Sequence, residues 1–577
     1  MYLNHTVEIP TGVNGISKKS HSNGTVYVYF IYDRVYIPDK KFTKPVGKII
    51  GKCDPKDPDR MYPNENYRRF FPDAAIEAES GEEISGISSR SACLRMGAYT
   101  VIKKIMHDLH LDEMIERIIG RDSGLFLDLA AYSLIEEDNA GQYYPDYAYS
   151  HPLFTEGMHV YSDSKISDFL RDITIEQRVR FLNEWNSVRD HREKIYITYD
   201  STNKHCQAGD IELAEIGYEK DKQNKPVFNY SIAYDTNNMM PLFYEAYPGS
   251  IVDVSQLQYM LEKAKGYGYK NAGFILDRGY FSKGNIRYMD KCGYDFVMMV
   301  KGMKDLVSDL VLRNHGRFEQ DRAFSIRRHK VSGMTVKSSL FEGDDRERYF
   351  HIYYNGNKAV AEREIFEQRI DRIARSLKDQ EGKKYRPTKE IEKYFDPIYY
   401  HEGQEDEVFE RAREKKDVIN REIKQCGYFV IITSARMDAS EALDLYKSRD
   451  VSEKLFRGDK SYLGNKSERV YTDESTESKI FIEFIALIVR NSIYTRLKDK
   501  MEEDQKKQNY MTVPAAIKEL EKIEMIRYTD MGYGLDHAIT ATQKTILEAF
   551  GMAENDITRE VKAINKTLRH SDNRRAA

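Results

Sequence analysis

The sequence contains one tryptophan, Trp185, and five cysteines in 577 residues. The cysteines, Cys53, Cys93, Cys206, Cys292 and Cys426, have no paired spacing. An odd, scattered set of thiols argues against a disulfide framework or a zinc finger and suits a reducing cytoplasm, where the protein is expected to act. His205 and Cys206 are adjacent, but a dipeptide rarely builds a metal site and reads as structural. No charged segment followed by an apolar one opens the chain, so no secretory leader is expected. Long apolar runs are also missing. The longest, residues 480–489, is interrupted by Glu483 and is too short to cross a bilayer, so it reads as a buried helix and no membrane partner is expected. Nor is there an excess of positive charge. The formal net charge of −4 weighs mildly against a polyanionic partner, although the local field at a groove governs such binding more than the total does.

The chain is long enough for three or more domains, and 41% hydrophobic residues can fill large cores. Its most specific stretch runs from Tyr446 to Lys460, with Arg449 and Glu453 between them. On an ideal helix each residue advances about 100°, which would put Tyr446, Arg449, Glu453 and Lys460 on one stripe roughly 60° wide. A carboxylate, two cations and an aromatic then share a face. The first can hold a metal ion, the cations can hold phosphates, and the ring can stack on a base.

Two further carboxylates follow strand-like runs. Asp200 ends Ile195-Tyr-Ile-Thr-Tyr-Asp200, which alternates β-branched and aromatic residues, and Ser201, Thr202 and Asn203 read as the turn after it. Asp277 ends the apolar run Ala272-Gly-Phe-Ile-Leu-Asp277. An acid at the carboxyl end of a buried strand sits where a ligand can reach it. Between and after the two acids the pattern predicts a hairpin (residues 227–247), a helix (255–265), the Asp277 strand, a second helix (282–291) closed by Gly293, and a strand (294–300). Asp235, Asp253 and Asp295 read as ordinary turn, cap and strand-edge acids.

The spacing Tyr446, Arg449, Glu453, Lys460 matches the Y-R-E-K pattern of DDE transposases encoded by bacterial insertion sequences, and the chain resembles that group over about residues 190–500. The resemblance implies an α/β fold: a ribonuclease-H-like core with a β-rich insertion, flanked by an N-terminal β and helical part and a C-terminal helical part. In that core the first and fourth strands are neighbours, which would bring Asp200 and Asp277 together beside the Glu453 helix. The implied division is an N-terminal β-rich region (1–84), a helical region (85–190) with a possible role in binding DNA ends, core (191–301), insertion (302–426), core (427–500) and a C-terminal helical region (501–577). Asp200, Asp277 and Glu453 are implied as catalytic metal ligands for Mg2+, with Mn2+ as a substitute and two ions expected, because hard carboxylate oxygens suit magnesium. Tyr446, Arg449 and Lys460 are implied DNA contacts.

The expected activity is binding of the element's terminal inverted repeats, metal-dependent cleavage, and joining of the 3′-hydroxyl to target DNA, with a homodimer holding the two ends of double-stranded DNA. The alternatives are a nuclease of the same fold without strand transfer, and a non-enzymatic DNA-binding descendant of a transposase. In relatives an insertion-domain tryptophan can help hold a flipped base, whereas Trp185 lies outside the insertion. Lys40, Lys41, Lys44, Lys48 and Lys52 form an N-terminal basic run that suits either phosphates or solvent. The helix pair 162–170 and 175–185 reads as a support for the core more than as a reader of DNA.

Overall fold

The computed structural model describes the chain apart from residues 1–5, 12, 22–24, 38–41, 72–89, 190–192, 207–210, 217–224, 252, 301–303, 342, 345, 405–406, 452–453, 457–462, 464–466, 508–509, 529–531 and 577. It divides into two compact units, Met1–Ser89 and Arg90–Ala577.

The first unit is a five-stranded antiparallel sheet of β1 (Val7–Glu8), β2 (Ile16–Ser20), β3 (Val26–Ile37), β4 (Phe42–Cys53) and β5 (Arg60–Pro63), in the order β1-β5-β4-β3-β2. Alternation along β3 turns Val28 inward, where it is buried with Ile50, Met61 and Tyr67. Gly51 lets β4 pass this core, since a Cβ there would lie 2.4 Å from the Met61 sulfur. A short helix, Glu65–Phe70, closes the unit. Its N-cap is Asn64, whose side chain accepts from the Asn66 and Tyr67 amides.

The second unit is built on one large mixed sheet. Its first strand, β6 (Cys93–Arg95), stands apart and pairs with a late strand. The large sheet contains β7 (Ile195–Cys206), β8 (Val227–Asp235), β9 (Met240–Pro248), β10 (Ala272–Leu276), β11 (Asp295–Met299), β12 (Ser325–Ile326), β13 (Val331–Ser339) and β14 (Glu347–Tyr354). A separate hairpin, β15 (Phe395–Tyr400) with β16 (Val408–Glu414), follows. The chain then returns to the large sheet through β17 (Tyr428–Thr433) and β18 (Ser467–Glu468). The spatial order is β12-β13-β14-β17-β11-β10-β7-β8-β9, with β18 beside β7.

β7, β8 and β9 form an antiparallel meander, β10 and β11 run parallel to β7, and β17 is antiparallel to both β11 and β14. Helices Asp253–Gly266 and Lys283–Cys292 make the crossovers on either side of β10. The second is capped by Ser282 and ended by Gly293 in the left-handed region. Their Leu257, Ile286 and Met289 share a core with Phe274 and Leu276. The alternate residues Ile275 and Val297 pack with Ile431, Tyr353 and the helix Ala439–Lys447. The sheet is therefore covered on both faces, as parallel strands require. The 480–489 run lies inside a much longer helix, Asp473–Glu503, which is apolar on most sides and buried along its centre.

Residues 99–119 form two helices, Gly97–Asp108 and Leu111–Ile119, because His110 takes a left-handed conformation, and Asp112 and Glu113 favour a new helix start just after it. Three expectations differ from the observed fold. β7 does not stop at Asp200. Ser201, Thr202 and Asn203 stay in register with β8 and are buried, and the Asn203 amide donates to Asn229 Oδ1 across the strands at 2.7 Å. The 302–426 insertion is not a separate β-rich body. β12, β13 and β14 extend the central sheet from β17, the helix Lys304–Asn314 joins the main core through Leu310 and Val311, and a small cluster of the helices Gly356–Lys378 and Lys416–Ile423 sits on the β15–β16 hairpin, with its own core around Ile370, Tyr394 and Phe409. The C-terminal region is not wholly helical: β19 (Glu524–Tyr528) pairs with β20 (Gly532–Leu535) and with β6.

Candidate active site

Asp200 and Asp277 are neighbours because their strands are. β10 lies parallel to β7, with Phe274 opposite Ile197 and Leu276 opposite Tyr199. The next residue on each strand is the acid. Asp277 leaves the sheet as the N-cap residue of a single 3-10 turn, Arg278–Tyr280, so its side chain sits at the strand end. Asp200 stays in the ladder opposite Ile232 of β8.

The third member, Arg449, lies just past the helix Ala439–Lys447. A capping box fixes its start, with the Asp438 side chain accepting from the Glu441 amide and the Glu441 side chain accepting from the Asp438 amide. The Tyr353 hydroxyl donates to the Ala439 carbonyl at 2.7 Å, tying this helix to β14. The helix ends at Lys447, and Ser448 and Arg449 form a turn.

Arg449 nevertheless reaches both acids. Its Nη1 lies 3.7 Å from Asp200 Oδ2 and 3.6 Å from Asp277 Oδ1, so one guanidinium nitrogen bridges the two carboxylates. The Arg449 and Asp200 side chains are each 16% exposed and Asp277 is 36% exposed, which leaves the site open on the Asp277 side.

The single helical stripe from Tyr446 to Lys460 is interrupted. The Ser448 hydroxyl donates to the Leu445 carbonyl at 2.6 Å, and the Arg449 amide donates to the Tyr446 carbonyl at 3.3 Å, a tighter turn than the α-helix makes. Helical backbone resumes at 450–451 and is present again at 454–456. Glu453 and Lys460 lie outside the described residues. Tyr446 is 8% exposed and packs with Ile275, Val297 and Leu443, with the Arg449 guanidinium 5.7 Å from its ring centre. Its ring therefore anchors the turn that presents Arg449.

Asp235 and Asp295 play the parts their sequence positions suggest, while the Asp253 side chain lies outside the described residues. Asp235 accepts from the Asn237 and Asn238 amides at 2.8 and 3.1 Å and is buried in the β8–β9 turn. Asp295 accepts from the Ser434 hydroxyl at 2.7 Å and pairs with Lys194. His205 and Cys206 are buried at the end of β7. Trp185 is fully buried and donates from its indole to the Pro241 carbonyl at 3.0 Å. Among the described residues no group of three or more His, Cys, Asp and Glu side chains could hold a metal, and no helix is long and apolar enough to cross a membrane.

Sequence reasoning missed one buried pair. Four residues beyond Asp200, Lys204 extends its ammonium to Glu483 Oε2 at 2.8 Å, and both side chains are fully buried. The signal was present in Glu483, an acid amid an apolar helical run, which demands a buried partner. Glu483 also lines an open cleft of about 800 Å³ between helices Ser123–Glu136, Asp163–Asp172 and Asp473–Glu503, where Arg171, Arg469, Lys479 and Tyr471 supply cations and a ring.

The two carboxylates suit a metal ion: both are hard oxygen donors, and the Arg449 guanidinium already stands between them as a cation. The profile of the transposase DDE domain matches residues 197–489, a span that begins within β7 and contains both acids and Arg449. The chain belongs to the transposase DDE domain family. No curated protein matches it. Among solved structures it is similar to the cryo-EM structure of piggyBac transposase in a synaptic complex with hairpin DNA, at 10% identity over 81% of this chain and 82% of that one, with a TM-score of 0.34.

Proposed function

We propose that this transposase binds the inverted repeats of its own insertion sequence, cleaves them by metal-dependent hydrolysis and joins the freed 3′-hydroxyl to target DNA. The observation that carries this reading is the bridging of Asp200 and Asp277 by Arg449 at the ends of adjacent parallel strands. The order β9-β8-β7-β10-β11, three antiparallel strands continued by two parallel ones, supports a ribonuclease-H-like core. Asp200 and Asp277 would hold magnesium together with Glu453. The ion, when bound, would activate a water or 3′-hydroxyl and stabilise the leaving oxygen.

The chain's own groups do the rest. Arg449, presented by the turn above Tyr446, can pair with a phosphate oxygen once its carboxylates are otherwise neutralised. Lys460 would add a second phosphate contact along the same segment. The open side at Asp277 admits the scissile strand. A homodimer holding two ends in the cytoplasm fits the need to process both. The test is incubation of labelled end duplexes with a supercoiled plasmid in Mg2+. End-joined plasmid is expected. Cleavage without joined product would favour the nuclease reading instead.

A further inference from the structure

The outer face of the N-terminal sheet carries a pattern that the catalytic reading does not use. Register places four side chains in one line across four adjacent strands: Lys19 of β2 pairs with Tyr27 of β3, Tyr27 with Lys52 of β4, and Lys52 with Tyr62 of β5. Cation and aromatic alternate along a row about 14 Å long, at three inter-strand spacings. The intervening Val28 faces the core, so the row lies on the opposite face.

A second row begins beside it with Ser17 and Tyr29. The rows are knitted together. The Lys19 ammonium sits 5.0 Å from the Tyr29 ring centre, the His21 ring is edge-on to Tyr27 at 4.9 Å, and His21 Nε2 is 3.0 Å from the Tyr29 hydroxyl. Lys19 and His21 are exposed, while Tyr27, Tyr29, Lys52 and Tyr62 are half-buried. Residues 1–71 hold twelve Lys and Arg against seven Asp and Glu, and residues 72–89 add five acids and no base, so the unit is neutral as a whole and the positive charge is that of the row itself, Lys19 and Lys52.

We infer that this sheet face is a binding platform for single-stranded DNA, with the tyrosines stacking on unpaired bases and Lys19 and Lys52 pairing with the phosphates between them. Stacking on aromatic rings tolerates any base, because every base has a π-face, and cations along the same track follow the backbone. A single strand is favoured over duplex by shape: the major groove takes a helix or a two-stranded ribbon, not the face of a five-stranded sheet, and bases stacked within a duplex cannot reach the rings.

The test uses the full-length protein and fluorescence anisotropy with two probes, a (dT)20 oligonucleotide and a 20-base-pair duplex. Tyr27→Ala and Tyr29→Ala are each expected to weaken (dT)20 binding about tenfold, with duplex affinity changed less than about twofold. Tyr29→Phe should bind as the parent does. Lys19→Gln and Lys52→Gln should each reduce the salt dependence of (dT)20 binding, lowering the log–log slope by about 0.7. Photocrosslinking from 5-iododeoxyuridine in the strand should label the peptide holding Tyr27 and Tyr29. Unchanged (dT)20 affinity in both alanine variants overturns the inference, and so does an equal loss on duplex, which would mark the face as a backbone contact or the variants as misfolded. Cleavage is not read, so the outcome is separate from that of the carboxylate chemistry.

Discussion

Leu276 of β10 sits opposite Tyr199 of β7 in parallel register, one residue short of Asp277 and Asp200. That pairing places two carboxylates side by side before any helix is considered. A slip of one residue would turn Asp200 or Asp277 to the other face, so the apolar pattern that sets the register also sets the site.

Arg449 shares its one positive charge between the two acids and offsets part of their repulsion. Removing it leaves two adjacent carboxylates that repel each other. Arg449→Ala is therefore expected to lower the melting temperature by about 2–4 °C in EDTA and to regain most of that loss in millimolar Mn2+. Scanning fluorimetry with and without metal measures this. An equal loss in both conditions would make Arg449 a packing residue only.

The Lys204–Glu483 pair joins β7 to the long central helix with no exposed surface on either side chain, and the ammonium lies 4.4 Å from the Tyr230 ring centre. Glu483→Gln strands a buried ammonium and should cost about 3–5 kcal/mol in urea unfolding. The double change Lys204→Met with Glu483→Leu should cost far less, since the charges then leave together. A double variant as unstable as the single one would show that hydrogen bonding by the pair, beyond charge balance, holds this junction.

Much of this was legible in the sequence. The meander, both crossover helices and the strand at 295–299 follow from alternation, apolar runs and glycine stops, which are local signals. The extension of β7 past Asp200 was not, because Ser201, Thr202 and Asn203 look like turn residues until a partner strand satisfies them. The turn at Ser448 was hidden for the same reason: its hydroxyl competes with the helix through one hydrogen bond that spacing cannot reveal. Arg449 was readable as a cation near the site, but its bridging role depends on register between distant segments. The placement of β12, β13 and β14 in the central sheet is likewise a pairing choice, made at the edge of β17.

His351 is buried on β14 between the Thr335 and Thr433 hydroxyls, at 2.9 and 3.0 Å. Burial pushes its pKa down from 6.5 to about 4. Between those values the unfolded chain takes up a proton that the folded chain refuses. The contribution to stability is thus full above pH 6.5 and is lost as pH falls toward 4, by up to about 3 kcal/mol. His351→Gln should flatten that part of the stability–pH curve measured by urea titration. A variant with the parent's slope would assign the pH dependence to other groups.

The central claim is that Asp200 and Asp277 do chemistry and do not merely hold the fold. The most direct measurement pairs a gel shift with a cleavage assay on the same labelled end duplex in Mg2+, using Asp200→Asn, Asp277→Asn and Glu453→Gln beside the turn control Asp235→Asn. The account predicts end binding within about threefold of the parent for all four, with cleavage lost by at least about a hundredfold in the first three and retained in the control. Near-parental cutting by Asp200→Asn or Asp277→Asn would contradict it.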